Sequence, residues 1–236
     1  ASCDPNGFCV AQVLFESGRL YKWFCTGKDG GVTQKAKLSG NAVFTRFCKI
    51  YDSSAPNGES PVAALRLQSG RVQLLKRLTF QRFIEGFDAV DMQVRSLHCL
   101  LSPRHDVFTV FRNRYFFKDS RAATSSTMYE LPPIDEDQTS AEVDIDSVVL
   151  KRTNSSTINQ VLDLATNNLI RFLETTQNIR ILEMTVDYFV DTRSQLWMLW
   201  IHQVETTPVD KPSTIIVRQQ QSMQTAERKV SNHSEA

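Results

Sequence analysis

The chain has no apolar run near the ~18 residues that cross a bilayer, so no membrane-spanning helix is expected. Its first residues, ASCDPNGFCV, show neither a basic n-region nor an apolar h-region, and no signal peptide is read there. The five cysteines include no C-x-x-C pair and none has a histidine at zinc-finger spacing. That pattern fits buried thiols in an intracellular compartment, cytoplasmic or organellar. A Cys3–Cys9 disulfide stays open for a secreted protein.

Glycine-rich phosphate loops of the form G-x-x-x-x-G-K-[ST] or G-x-G-x-x-G are missing, as is the G-x-S-x-G nucleophile elbow. There are only four histidines, and no two stand four residues apart on a helix face. His98 and Cys99 are adjacent, so in a strand they point to opposite faces and form no nucleophile–base pair. His105 and Asp106 read as solvated loop residues, and His202 as an ordinary strand residue. No catalytic residue, metal or cofactor is therefore expected, and the reading leans away from an enzyme.

What is present is segregated charge. Residues 1–129 hold 18 Lys/Arg against 10 Asp/Glu, residues 130–150 hold 7 acids and no base, and residues 151–236 hold nine of each. A net charge of +1 thus hides a basic portion, an acidic one and a balanced one.

The pattern predicts an α+β protein, mostly antiparallel β-sheet with one prominent amphipathic helix at about 157–176 packed on it. Residues 1–129 read as a β-rich basic portion. Two hairpins are expected there, around Ser17-Gly18 and Ser69-Gly70, and NAVFTRFCKIY is expected as a further strand. LTFQRFIEGFD fits strand or helix, and DMQVRSLHCLLSPRHDVFTVFRNRYFFKD reads as two strands. Residues 130–150, with two prolines and many acids, read as a linker or exposed loop. Residues 151–204 read as a helix and hairpin completing the same core, and residues 205–236 as a mobile polar tail. Thr157 with Gln160 supplies an expected capping box for the helix.

Two stretches carry candidate function. In SPRHDVFTVFRNRYFFKDSR, Arg104, Arg112, Arg114 and Lys118 alternate with aromatics such as Tyr115. Cations neutralise phosphates and exposed rings stack on unpaired bases, so these five residues form a candidate RNA or single-stranded DNA surface. In VDYFVDTRSQLWMLWIHQV, Trp197 and Trp200 make the hairpin apolar on both faces, which reads as core or as an interaction surface.

The order helix, strand ending VDYFVD, turn, LWMLWIH resembles the closing elements of an ATP-grasp domain. In that family the first strand carries an Asp and the second usually ends in Glu-x-Asn, which holds magnesium against nucleotide phosphates. Here Asp187 or Asp191 matches the Asp, while Trp200 and His202 stand at the Glu and Asn positions. Tryptophan offers no oxygen to Mg²⁺. The resemblance covers the C-terminal third to half of the chain, and it implies a nucleotide-binding fold with a broken metal site.

The leading expectation from sequence is a non-catalytic interaction or scaffold module within a larger assembly, with a protein partner and no small-molecule ligand. An RNA- or ssDNA-binding component is the first alternative. A degenerate ATP-grasp-like nucleotide-binding domain is the second.

Overall fold

The computed structural model describes residues 8–17, 19–27, 31–35, 39–52, 61–86, 93–100, 108–132, 134, 138 and 140–209. Its elements run β1 (Ala11–Glu16), β2 (Arg19–Thr26), β3 (Val32–Gln34), α1 (Gly40–Asp52), β4 (Ala63–Leu67), β5 (Val72–Leu75), α2 (Arg77–Glu85) and β6 (Val94–Cys99). They continue with β7 (Phe108–Lys118), β8 (Arg121–Leu131), β9 (Ser140–Val143), β10 (Lys151–Arg152), α3 (Ser156–Gln177), β11 (Ile179–Val190) and β12 (Leu196–Pro208). A seven-stranded sheet has the order β3-β2-β1-β6-β4-β5-β9, and a five-stranded sheet the order β10-β8-β7-β11-β12. Neighbouring strands in both are antiparallel, so the α+β class expected from sequence is the class observed.

Three apolar clusters show how the layers stack. One packs α1 and α2 (Phe47, Phe80, Ile84) on Val13, Leu65 and Leu97 of the seven-stranded sheet. A second joins the two sheets face to face, with Ala64, Leu74 and Val143 meeting Val110, Tyr129 and Trp200. A third seats α3 on the outer face of the five-stranded sheet through Leu162, Ala165, Met184 and Tyr188. The order is helices, sheet, sheet, helix. Alternation in the strands explains it: Ala63 and Leu65 face the helices, while Ala64 between them faces the second sheet.

Several sequence expectations need correcting. NAVFTRFCKIY is helix α1, not a strand, because Val43, Phe47 and Tyr51 recur every four residues and all three are buried. Ser39 supports its start by accepting from Ala42 N at 3.3 Å. In LTFQRFIEGFD, Leu78 to Glu85 lie in α2, whose Phe80 stacks on Phe47 at 5.7 Å, and Phe87 and Asp88 lie outside the described residues. Within the expected acidic linker, Ser140–Val143 is a strand paired with β5, and Ile145 is buried. Alternation leaves Glu142 in solvent there while Val143 packs inward, so the acids do not prevent a strand. β12 runs on to Pro208, so residues 205–208 belong to the sheet. Residues 210–236 lie outside the described residues.

Helix α3 begins two residues before the expected capping box: Ser155 is the N-cap and accepts from Ile158 N at 3.3 Å. Its buried side is Leu162, Ala165, Thr166 and Ile170, with the Thr166 hydroxyl 2.9 Å from that of Tyr188. Val161 and Phe172 are exposed. Cys25, Cys48 and Cys99 are buried, and burial pushes the Cys48 and Cys99 thiols up. Cys3 lies outside the described residues.

Truncating a fully enclosed ring should expose this layering. Phe47→Ala removes a side chain with 0% exposure and is expected to cost about 3–5 kcal/mol in urea unfolding. Leu164→Ser, at a position 59% exposed on α3, should stay within about 0.5 kcal/mol of the parent. Equal costs at the two positions would contradict the packing.

Candidate functional site

The sheet-to-sheet interface is apolar except for one polar seam. Adjacent strands of the five-stranded sheet bring its members together: Arg112 on β7 is directly opposite Asp187 on β11, which is opposite Trp200 on β12. His202 follows Trp200 by two residues and shares its face. Register shifts along β12 leave Leu199 and His202 without a directly paired residue on β11, the two-against-one pattern of β-bulges. One result is that Leu199 and Trp200, though consecutive, both enter the inter-sheet core.

Asp187 is the centre of the seam and has 0% exposure. Its Oδ2 accepts from Tyr129 OH at 2.5 Å, from Trp200 Nε1 at 2.9 Å and from Arg112 Nη2 at 3.1 Å. His202 Nε2 lies 2.6 Å from the same oxygen, and Oδ1 accepts from Arg112 Nε at 2.9 Å. The histidine tautomer follows from these contacts. A bare nitrogen lone pair so near a carboxylate oxygen would repel it, so Nε2 carries the proton and donates to Asp187. Arg112 Nη2 at 2.8 Å and Trp200 Nε1 at 2.9 Å from that nitrogen then serve the carboxylate instead. The Arg112 guanidinium also lies over the Tyr129 ring, 5.2 Å from its centroid.

Burial alone would raise the Asp187 pKa. The hydrogen bonds from His202 and Arg112, and their charges, outweigh it and hold the carboxyl below its ordinary value. Arg112 feels burial first as a downward push, but the hydrogen bond and charge of Asp187 leave it raised. Tyr129 is driven well above the usual phenol range by burial and by the adjacent Asp187 charge.

The seven-stranded sheet adds Arg66, Ser96 and His98 to the seam. Arg66 Nη1 donates to the Ile201 carbonyl at 2.7 Å, bridging the sheets. Burial, then the charge of Arg95, lowers the Arg66 pKa. His98 meets the Trp200 ring edge to face at 5.4 Å, and its Nε2 is 2.7 Å from Ser96 Oγ. Burial, aided by the Arg66 charge, pulls His98 down to about 3, so it is neutral near pH 7. Its Nδ1 and the Arg66 Nε are buried without a partner among the described residues. With His98 neutral, the guanidiniums of Arg66 and Arg112 face the single carboxylate of Asp187, and the seam carries an excess of positive charge.

A magnesium ion does not fit this donor set. Mg²⁺ takes carboxylate, phosphate and water oxygens in near-octahedral array. Around Asp187 stand instead a guanidinium, an indole, an imidazole and a phenol. No group of three potential ligands forms among the described residues.

The residues proposed for nucleic acid do not assemble into one surface. Arg104 lies outside the described residues. Arg112 is engaged by Asp187, and Arg114 pairs with Glu183 at 2.8 Å. Tyr115 is buried in the α3 cluster and offers no face for stacking, and Lys118 is exposed at the far end of β7. The tryptophans correct the second expectation. Trp200 is 3% exposed, and half-buried Trp197 packs into the core with Nε1 on Asp191 Oδ2 at 3.1 Å. Neither is an open interaction surface. Asp187, Trp200 and His202 stand at positions that the ATP-grasp resemblance names, with Asp191 an equal candidate to Asp187 there and His202 otherwise read as an ordinary strand residue. Arg66 and Tyr129 carried no signal, since only the pairing of distant strands brings them to Asp187.

No protein-family model matches the chain, and no curated protein sequence does. Its fold has some likeness to solved synthetases. One is N5-carboxyaminoimidazole synthetase from Staphylococcus aureus, 12% identical over 88% of this chain and 42% of that one, with a TM-score of 0.37. Another is D-alanyl-alanine synthetase A from Vibrio cholerae, 9% identical over 79% and 50% of the two chains, TM-score 0.37. A SAICAR synthetase is 9% identical over 74% and 95%, TM-score 0.30. The chain therefore spans half or less of the length of the first two. The expectation of a non-catalytic scaffold module is corrected here, because the aromatic contact surface on which it rested is core: Trp200 is buried and Trp197 packs against buried residues. Among the described residues, no helix is long and apolar enough to cross a membrane.

Removing the carboxylate should strand a buried cation. Asp187→Ala is expected to cost about 3–5 kcal/mol at pH 7. Because the folded pKa is depressed, this contribution is complete above the ordinary carboxylate value of ~3.9 and is lost as pH falls through the folded value. The stability gap between parent and variant, measured by urea unfolding, should therefore shrink below pH ~4. A gap that stays constant down to pH 2 would mean that Asp187 is not held ionised.

Proposed function

We propose that the chain is a nucleotide-binding domain of ATP-grasp-like layout that has lost its metal site and meets phosphate with arginine. One observation supports it above the others. Asp187, Trp200 and His202, three of the four positions that the ATP-grasp resemblance names, converge with Arg112 at one point between the sheets. The guanidinium of Arg112 is fixed beside Asp187 by two hydrogen bonds. Asp187 takes up the Nε and Nη2 side of that fork, so what Arg112 offers a phosphate group is its positive charge and the donors of its remaining Nη1. Arg66, one strand layer away, adds a second guanidinium to the same seam. This reading replaces the expectation that no small molecule binds. The resemblance contributes the position of the site, and the arginines contribute the chemistry.

Thermal unfolding with ATP, with and without EDTA, and with adenosine tests the reading. At a hundred times its Kd a ligand adds about 2.7 kcal/mol, which for a chain of this size is roughly 5–10 °C. ATP should give a shift that survives EDTA and weakens with salt, while adenosine gives little. A shift that requires magnesium would contradict the arginine-based site. No shift at millimolar ATP, with or without magnesium, would overturn the proposal.

A further inference from the structure

On the opposite face of the five-stranded sheet from Asp187, the C-terminal half of α3 and the β1–β3 edge enclose a groove of about 600 Å³. Its walls are apolar, with Phe8, Phe24, Phe172 and Met198 among them, and Gln12 and Gln34 are its polar side chains. Phe172 is 58% exposed at its rim. An open apolar groove of this size calls for an occupant.

The path of the chain points to one. β12 ends at Pro208, and Val209 N donates to the carbonyl of Asn178, the residue that caps the C-terminus of α3. The backbone therefore leaves the fold beside the end of the helix that forms the groove wall. Phe172 lies six residues back from Asn178, about 9 Å along the helix axis. Six residues of extended chain after Val209 reach up to ~20 Å, which brings Ile215 within range. Four segments outside the described residues begin near groove residues in the chain: ASCDPNG before Phe8, KDG before Gly31, AKL after Lys35, and the segment from Asp210 onward. The first two carry no large apolar side chain, and the third carries one, Leu38, next to the Ser39 that supports the start of α1. The fourth holds Ile215, Ile216 and Val217 in succession, with Pro212 ahead of them.

We infer that Ile215, Ile216 and Val217 of the chain's own C-terminal segment seat in this groove against α3. β-branched residues favour extended backbone, and the amides of Gln12 and Gln34 offer both donors and acceptors to such a segment. The seat is independent of the nucleotide reading, because it uses the other face of the sheet.

Methyl NMR on the full chain labelled at methionine gives the test, with Met198 as the reporter in the groove and Met184, buried under α3, as the control. Ile215→Asp combined with Ile216→Asp should shift the Met198 methyl and leave Met184 in place. Adding a synthetic peptide of residues 210–220 to that variant should return Met198 towards its parental position, and a scrambled peptide should not. A Met198 signal unchanged by the substitutions and by the peptide would overturn the inference. So would a Met198 shift that follows protein concentration instead, which would make a second copy the occupant. Ile215 and Ile216 lie outside the described residues, and an unshifted Met184 in the variant separates docking from folding.

Discussion

Everything in the inter-sheet seam answers to one carboxylate out of water. An isolated ionised group in a protein interior costs several kcal/mol, and it persists only if charge and hydrogen bonds compensate it. Asp187 receives five contacts, from β7, β8 and β12, so its charge ties four of the five strands of one sheet to a single point. The pairing also fixes Arg112, which would otherwise be a buried charge without a partner. Each member is held because the others are.

That constraint explains the form of the hairpin. A regular β12 would send Leu199 and Trp200 to opposite faces. The two irregularities in its register let both enter the inter-sheet core while Trp200 and His202 still reach Asp187. Arg66 continues the seam into the second sheet by bonding the Ile201 carbonyl. The polar seam thus fixes the register between two surfaces that apolar packing alone would allow to slide. Because the compensation comes from nitrogen donors and not from further carboxylates, the same seam is positive, suited to anions and closed to magnesium.

The β-rich plan, the long helix and the hairpin were legible in the sequence because their apolar periods are strong. Along β11, Met184, Val186 and Tyr188 alternate with Asp187 in the sequence, and they lie in the α3 cluster while Asp187 lies in the inter-sheet seam. α1 was misread because its run of Val, Phe, Ile and Tyr has strand-like composition. Only the four-residue recurrence of Val43, Phe47 and Tyr51 reveals it. β9 was hidden by the acidic stretch around it, and its own acid, Glu142, faces solvent on an edge strand. Arg112 read as part of an open nucleic-acid surface because alternation gives the face of a residue but not what covers that face. A whole second sheet covers it, and that is a product of topology. The bulges in β12 have the same character: they arise from pairing and leave no local mark.

A double-mutant cycle on Arg112 and Asp187 tests the central claim most directly. Arg112→Met, Asp187→Leu and the double variant are compared by urea unfolding at pH 7. If the two side chains form one buried charged unit, each single change strands its partner, and the double variant is less destabilised than the sum. The expected coupling is at the upper end of the ~0.5–3 kcal/mol range for contacting residues. Single effects that add to within about 0.5 kcal/mol, as for independent sites, would contradict the account.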